Sequence, residues 1–188
     1  LEKTNEPYAI AKIAGIKLCQ SYFSQFKDNF ISLMPNNLFG PNDNFDLETS
    51  HVIPALLRKF HEAKKGKRNS VVIWGTGNPM REFIHVEDIV SAMIFAMKNI
   101  SAKEIYHNNI SHINISSGQE VSISELASLI KMIVGFQGEI KFDDAKPDGT
   151  PRKVLDGSFL KQLGWISKIG LEDGLQSLYS WYKNQHTP

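Results

Sequence analysis

Tyr8 and Lys12 stand four residues apart, which on a helix places a phenol and an ammonium one turn apart on one face. A cation so placed favours the phenolate form, the chemistry of an acid/base catalyst that exchanges a proton with an oxygen. Spacing alone is a cheap signal. With 17 Lys and 5 Tyr in 188 residues, chance supplies roughly 0.5 such pairs, and a second one occurs at Tyr179 and Lys183. That second pair ends an amphipathic stretch, where Tyr reads as core edge and Lys as a solvated charge. His51 is by residue type a proton carrier near neutrality, although a lone loop histidine is more often structural. His61, His85, His107, His112, His186 and Cys19 show no metal-ligand spacing, so no metal site is expected. Asp143-Asp144 reads as solvated loop, and Gly75-Thr76-Gly77 lacks the following helix that a phosphate loop needs.

The elements that must position these residues follow from periodicity. Pro7 suits a first helical turn, and Ala9, Ile10, Ala11, Ile13, Ala14, Leu18, Cys19 and Tyr22 recur at helical spacing, predicting a helix from Pro7 to Lys27. Phe30 to Met34 is a strand-length apolar run, and Asn36 to Asn44 is rich in turn formers. An amphipathic helix from Pro54 carries Leu56, Leu57 and Phe60. Strands are expected at Val71–Trp74 and Glu82–His85, joined by a tight turn at Gly75–Pro79. Val86–Met97 is an apolar helix, Ile113–Ile115 a strand, and Ser122-Ile123-Ser124-Glu125 a capping box opening a helix that Gly135 closes. A strand at Ile140–Phe142 and helices near Ser158–Leu163 and Leu171–Asn184 complete an α/β pattern.

Composition bounds the rest. The chain is 41% hydrophobic and 22% charged, which is ordinary for a globular domain, and 21 basic against 20 acidic residues leave no electrostatic footprint for nucleic acid. A single cysteine excludes an internal disulfide and fits a cytoplasmic protein. No apolar run reaches the roughly 18–20 residues that span a bilayer, so no membrane partner is expected.

Three segments carry a specific resemblance: Glu6-Pro7-Tyr8-Ala9-Ile10-Ala11-Lys12, Met34-Pro35-Asn36-Asn37-Leu38-Phe39-Gly40-Pro41, and Arg81-Glu82-Phe83-Ile84-His85-Val86-Glu87-Asp88. Together they resemble the extended short-chain dehydrogenase/reductase family of nucleotide-sugar enzymes. Ser50-His51-Val52-Ile53-Pro54-Ala55-Leu56, Trp74-Gly75-Thr76-Gly77 and Lys146-Pro147-Asp148-Gly149-Thr150-Pro151-Arg152-Lys153 narrow the resemblance to the branch acting on a GDP-bound 4-keto-6-deoxy sugar. The likeness runs from about Glu6 to about Gln185.

The resemblance implies NADP(H) as cofactor and a GDP-sugar as substrate, epimerised at C3 and C5 and reduced at C4. Tyr8 matches the tyrosine that gives a proton to the C4 oxygen, and Lys12 the lysine that holds the nicotinamide ribose. Pro35, Asn36, Asn37 and Leu38 match the turn lining the nicotinamide end. His51 matches a histidine that touches cofactor and moves protons at C3 and C5. Asn37, Lys59, Trp74, Arg81, Asp148 and Lys153 match sugar-nucleotide contacts, although family members commonly carry Arg where Lys59 stands. Residues 1–40 then form the last part of a Rossmann cofactor domain, and 41–188 mainly the substrate domain. The family's glycine-rich turn, catalytic Ser and epimerisation Cys precede its tyrosine, so the chain is expected to be the C-terminal portion of a homodimeric enzyme and inactive by itself. A related single-carbon epimerase or reductase, or a non-catalytic sugar-nucleotide-binding module, are the competing readings.

Overall fold

A computed structural model describes Leu1 and residues 5–186. In chain order its elements are α1 (Glu6–Phe26), β1 (Leu33–Pro35), β2 (Asn37–Phe39), α2 (Val52–Lys65), β3 (Ser70–Trp74), β4 (Met80–His85), α3 (Val86–Asn99), α4 (Ala102–His107), β5 (Ile113–Ile115), β6 (Glu120–Ser122), α5 (Ile123–Val134), β7 (Glu139–Asp143), β8 (Arg152–Lys153), α6 (Ser158–Gln162) and α7 (Leu171–His186). Contacts divide them into two units. One takes 1–35, 89–115 and 156–166; the other takes 36–88, 116–155 and 167–188.

In the first unit β1 and β5 pair in parallel, Leu33 opposite Ile113 and Pro35 opposite Ile115. Ile113, Ile115, Ala92, Ala96, Ile105 and Leu160 are buried there. Tyr106 donates its hydroxyl to the Phe30 carbonyl at 2.8 Å and stacks at a tilt on Phe23 of α1. Helix α1 ends where Lys27 adopts the left-handed conformation (φ 63°) and its N–H returns to the Phe23 carbonyl. Not one residue of α1 is buried.

The second unit is built on two short sheets. Strand β4 pairs in parallel with β2 and β8 and antiparallel with β6, while β3 pairs in parallel with β7. Between them α2 and α5 bury Ile53, Leu56, Leu57, Phe60, Leu126 and Ile130, spacings that keep one stripe of each helix against the core. The capping box is present: the Glu125 N–H reaches the Ser122 hydroxyl, and the Glu125 carboxylate takes the Ser122 N–H. Gly135 closes α5 at φ 73°, a left-handed position that a side chain would strain.

Four elements escape periodicity. The turn-rich reading of 36–44 gives way to β2, and the first strand begins at Leu33 rather than Phe30, because each takes its bounds from a partner, β4 or β5. Strands β6 and β8 and the one-turn-and-a-half helix α4 are also added, each too short to show a pattern.

Candidate functional site

Each unit holds some of the residues expected from the sequence. In the first, Pro7 sits in the opening turn of α1 and fixes the entry of the chain into the helix, so that Tyr8 and Lys12 fall one above the other. The Tyr8 side chain is exposed, and Lys12 Nζ lies over its ring, 5.2 Å from the centroid. The second pair looks alike in that respect, with Lys183 Nζ 5.0 Å over Tyr179. It differs in every other. Tyr179 is 7% exposed against 60% for Tyr8, its hydroxyl lies 3.2 Å from His61 Nδ1, and burial pushes its pKa up. Of these two tyrosines, Tyr8 is the one left open to solvent. Pro35, at the end of β1, is exposed.

The second unit begins with Asn36, which is 7% exposed. Its Nδ2 donates to Glu82 Oε2 at 2.5 Å, and its Oδ1 accepts both the N–H and the Nδ2 of Asn37, at 2.9 and 3.1 Å. Asn37 Nδ2 also reaches the Glu82 carbonyl at 2.8 Å. These bonds fix the start of β2, where Leu38 keeps 40% of its surface open.

A cavity of about 300 Å³ is lined by Lys59, Trp74, Arg81 and Asp148 together with Ser50 and Val52. Strand alternation on β3 buries Val71 and Ile73 and turns Trp74 outward, 69% exposed, so the core reading of this tryptophan fails. Lys59 and Lys146 place their ammonium groups 5.7 and 5.6 Å from its ring centroid. Asp148 is held by Thr76, whose N–H donates to Oδ1 at 2.9 Å and whose hydroxyl donates to Oδ2 at 2.7 Å. Gly75 permits that closeness: its φ is 81°, and a Cβ there would run into the Asp148 carboxylate. Arg81 donates to the Met80 carbonyl at 2.8 Å; burial draws its guanidinium pKa down, and Asp148 opposes that. Two lining cations, Lys59 and Arg81, with Lys146 beside them over Trp74, two carboxylates, Asp148 and Glu48, and an aromatic face suit a ligand that is both phosphorylated and cyclic.

Two expected residues stand beside this cavity and do not line it. Lys153 lies on β8 opposite Arg81 in register, and exposed His51 caps α2, its carbonyl accepting the Ala55 N–H at 3.0 Å while its neighbours Ser50 and Val52 face the cavity. A larger cavity, about 610 Å³, opens at the other end of β3 among Lys64, Lys67, Arg68 and Lys141 and holds none of the expected residues. Sequence reasoning missed Glu82, Thr76 and Lys146 as parts of the arrangement. All three lie inside the motif segments, but nothing in a linear pattern marks which residues of a motif reach inward. Among the described residues no group of three or more His, Cys, Asp and Glu side chains could hold a metal, and no helix is long and apolar enough to cross a membrane.

Comparison with known proteins shows the family. Residues 1–115 match the profile of the NAD dependent epimerase/dehydratase family. The chain is 56% identical over 182 residues to GDP-L-fucose synthase 1 of Arabidopsis thaliana, covering 97% of this chain and 54% of that one. It is 54% identical over 186 residues to GDP-L-fucose synthase of Escherichia coli K12, covering 97% and 57%. The chain thus spans about half the length of the curated relatives it matches. Among solved structures, a GDP-mannoheptose C4 reductase from Campylobacter jejuni with NADP bound superposes with a TM-score of 0.85 at 41% identity, over 97% of this chain and 61% of that one.

Proposed function

Because the chain belongs to the NAD dependent epimerase/dehydratase family, we propose that its protein epimerises GDP-4-keto-6-deoxy-mannose at C3 and C5 and reduces it at C4 with NADPH, giving GDP-L-fucose. The observation that carries this reading is the convergence of Lys59, Trp74, Arg81 and Asp148 on one cavity. Arg81 and Lys59 meet the two negative charges of the pyrophosphate, Lys153 and Asn37 contribute at its margin, Trp74 covers an apolar ring face, and Asp148 accepts from hydroxyl or base donors. The C4 carbonyl acidifies the protons on C3 and C5, and His51 takes and returns them, a task for a base whose ordinary range spans neutrality. Tyr8 then gives its proton to the C4 oxygen.

NADPH, when bound, supplies hydride to C4. The exposed phenol and ammonium of α1 and the open Leu38 fit such a group: Lys12 holds its ribose, and Pro35, Asn36, Asn37 and Leu38, with His51, line its nicotinamide end. Residues 1–40 belong on this reading to the cofactor domain and the rest of the chain mainly to the substrate domain; by contacts 89–115 and 156–166 group with 1–35, while 36–40 group with the second unit. A homodimer and a cytoplasmic location are part of the same proposal.

The test is to run the full-length protein with GDP-4-keto-6-deoxy-mannose and NADPH in deuterated water. Deuterium at both C3 and C5, with NADPH consumed, is expected. Deuterium at one carbon or at neither would reduce the assignment to a single-carbon epimerase or a simple C4 reductase.

A further inference from the structure

Glu82 is 2% exposed on β4, and among the described residues no Lys, Arg or His forms an ion pair with it. Its charge is met by hydrogen-bond donors alone. Oε1 accepts the hydroxyl and N–H of Ser117 at 3.2 and 2.5 Å, the Ser116 hydroxyl at 2.5 Å and the Gly118 N–H at 3.1 Å. Oε2 accepts Asn36 Nδ2 at 2.5 Å and the Leu155 N–H at 3.1 Å. Removing a carboxylate from water costs several kcal/mol unless its lone pairs are filled, and here every one of the roughly four sites has a donor.

The segments those donors come from matter. Asn36 and Asn37, at the start of β2, belong to the segment read above as lining the cofactor, and the Glu82 carbonyl takes a further bond from Asn37. Leu155 follows, by two residues, Lys153 at the end of β8, the strand that runs beside Arg81. Arg81 is the chain neighbour of Glu82, and alternation along β4 sends one side chain toward the cavity and the other into the interior. One buried carboxylate on β4 therefore ties the segment read as lining the cofactor to the chain that leaves β8, next to both of the residues, Arg81 and Lys153, read as presenting cations to the pyrophosphate.

We propose that Glu82 is a positioning residue that sets the Asn36–Leu38 segment in register with Arg81 and Lys153, so that affinity for cofactor and affinity for sugar nucleotide depend on the same side chain. This rests on the reading of those residues as ligands given above. Glu82→Gln keeps the shape but turns an NH2 toward one set of donors, breaking at least one arm of the junction. Ser116→Ala removes one donor and touches neither ligand.

In the full-length protein, Glu82→Gln is expected to raise KM for NADPH and Kd for GDP at least tenfold, with kcat of the folded enzyme within threefold of the parent, and Ser116→Ala to raise both constants about threefold. A merely structural role lowers the melting temperature and the folded fraction, and with them kcat, while KM and Kd stay put; that result overturns the proposal. If Glu82→Gln fails to fold, the same two constants of Ser116→Ala decide, unchanged values counting against it. A parent protein that binds NADPH and GDP but does not turn over the keto-sugar would overturn the proposed reaction instead, and Kd values for NADPH and GDP would still decide the role of Glu82.

Discussion

Tyr8 and Tyr179 carry the same pairing with Lys four residues on, and exposure separates their fates. Removing the Tyr8 hydroxyl takes away the proposed proton donor and nothing that holds the fold, so Tyr8→Phe is expected to lower kcat by about 10²–10⁴-fold with an unchanged melting temperature. Tyr179→Phe should do the reverse, costing about 1 kcal/mol for its lost bond to His61 while turnover stays within twofold. Initial rates and thermal melts on the two variants check both, and a Tyr8→Phe enzyme with parental kcat would remove Tyr8 from the reaction. The site was legible in sequence where chemistry follows from residue type within a motif, as for Trp74, Arg81 and Asp148. It was not legible at Glu82, whose donors stand 34 to 73 residues away in the chain, because only the folded β4 brings them together.

Elements announced themselves in proportion to what they carry locally. Helix α5 was readable to the residue, since its start is a reciprocal side-chain cap and its stop a left-handed glycine, both written in four-residue patterns. Strands β2, β6 and β8 were not, because strands of two or three residues exist only through their ladders with β4. It follows that Ser122→Ala should cost about 1 kcal/mol in chemical denaturation, the ordinary worth of an N-cap, with the transition slope unchanged. Helix α7 makes a prediction about pH. Burial pushes the Tyr179 and Tyr182 phenols above their ordinary value of 10, so the folded state holds both protons more tightly than the unfolded chain does. That contribution is fully present below pH 10 and is lost as pH rises through the raised folded values. Urea midpoints should therefore fall above pH 10 and fall less steeply in the Tyr179→Phe/Tyr182→Phe double variant; equal slopes would show that neither phenol ionises on unfolding.

Across the molecule the charges nearly cancel, with a net of +1 at pH 7, so little long-range repulsion keeps copies of the chain apart. Against that background the apolar surface of α1 weighs more than it would on a highly charged protein. Ile10, Leu18, Tyr22 and Phe26 are each at least 40% exposed on a helix with no buried residue, an outcome its run of Ala and Gly already suggested, because small side chains leave the helix able to be packed against but unable to cover itself. Apolar area removed from water is worth about 25 cal/mol per Å², so burying even a few of these side chains between copies outweighs the weak repulsion. Residues 1–188 produced by themselves should accordingly associate with rising concentration at neutral pH, more strongly in sulfate than in chloride, since excluded salts favour burial. Light scattering over a concentration series reads this directly. The double variant Ile10→Lys/Leu18→Lys adds two charges to the same face and should shift the chain to monomer without lowering its melting temperature, because neither position contributes to a core. Association that survives both lysines would move its cause from α1 to the exposed methionines and isoleucine of α3, Met93, Ile94 and Met97.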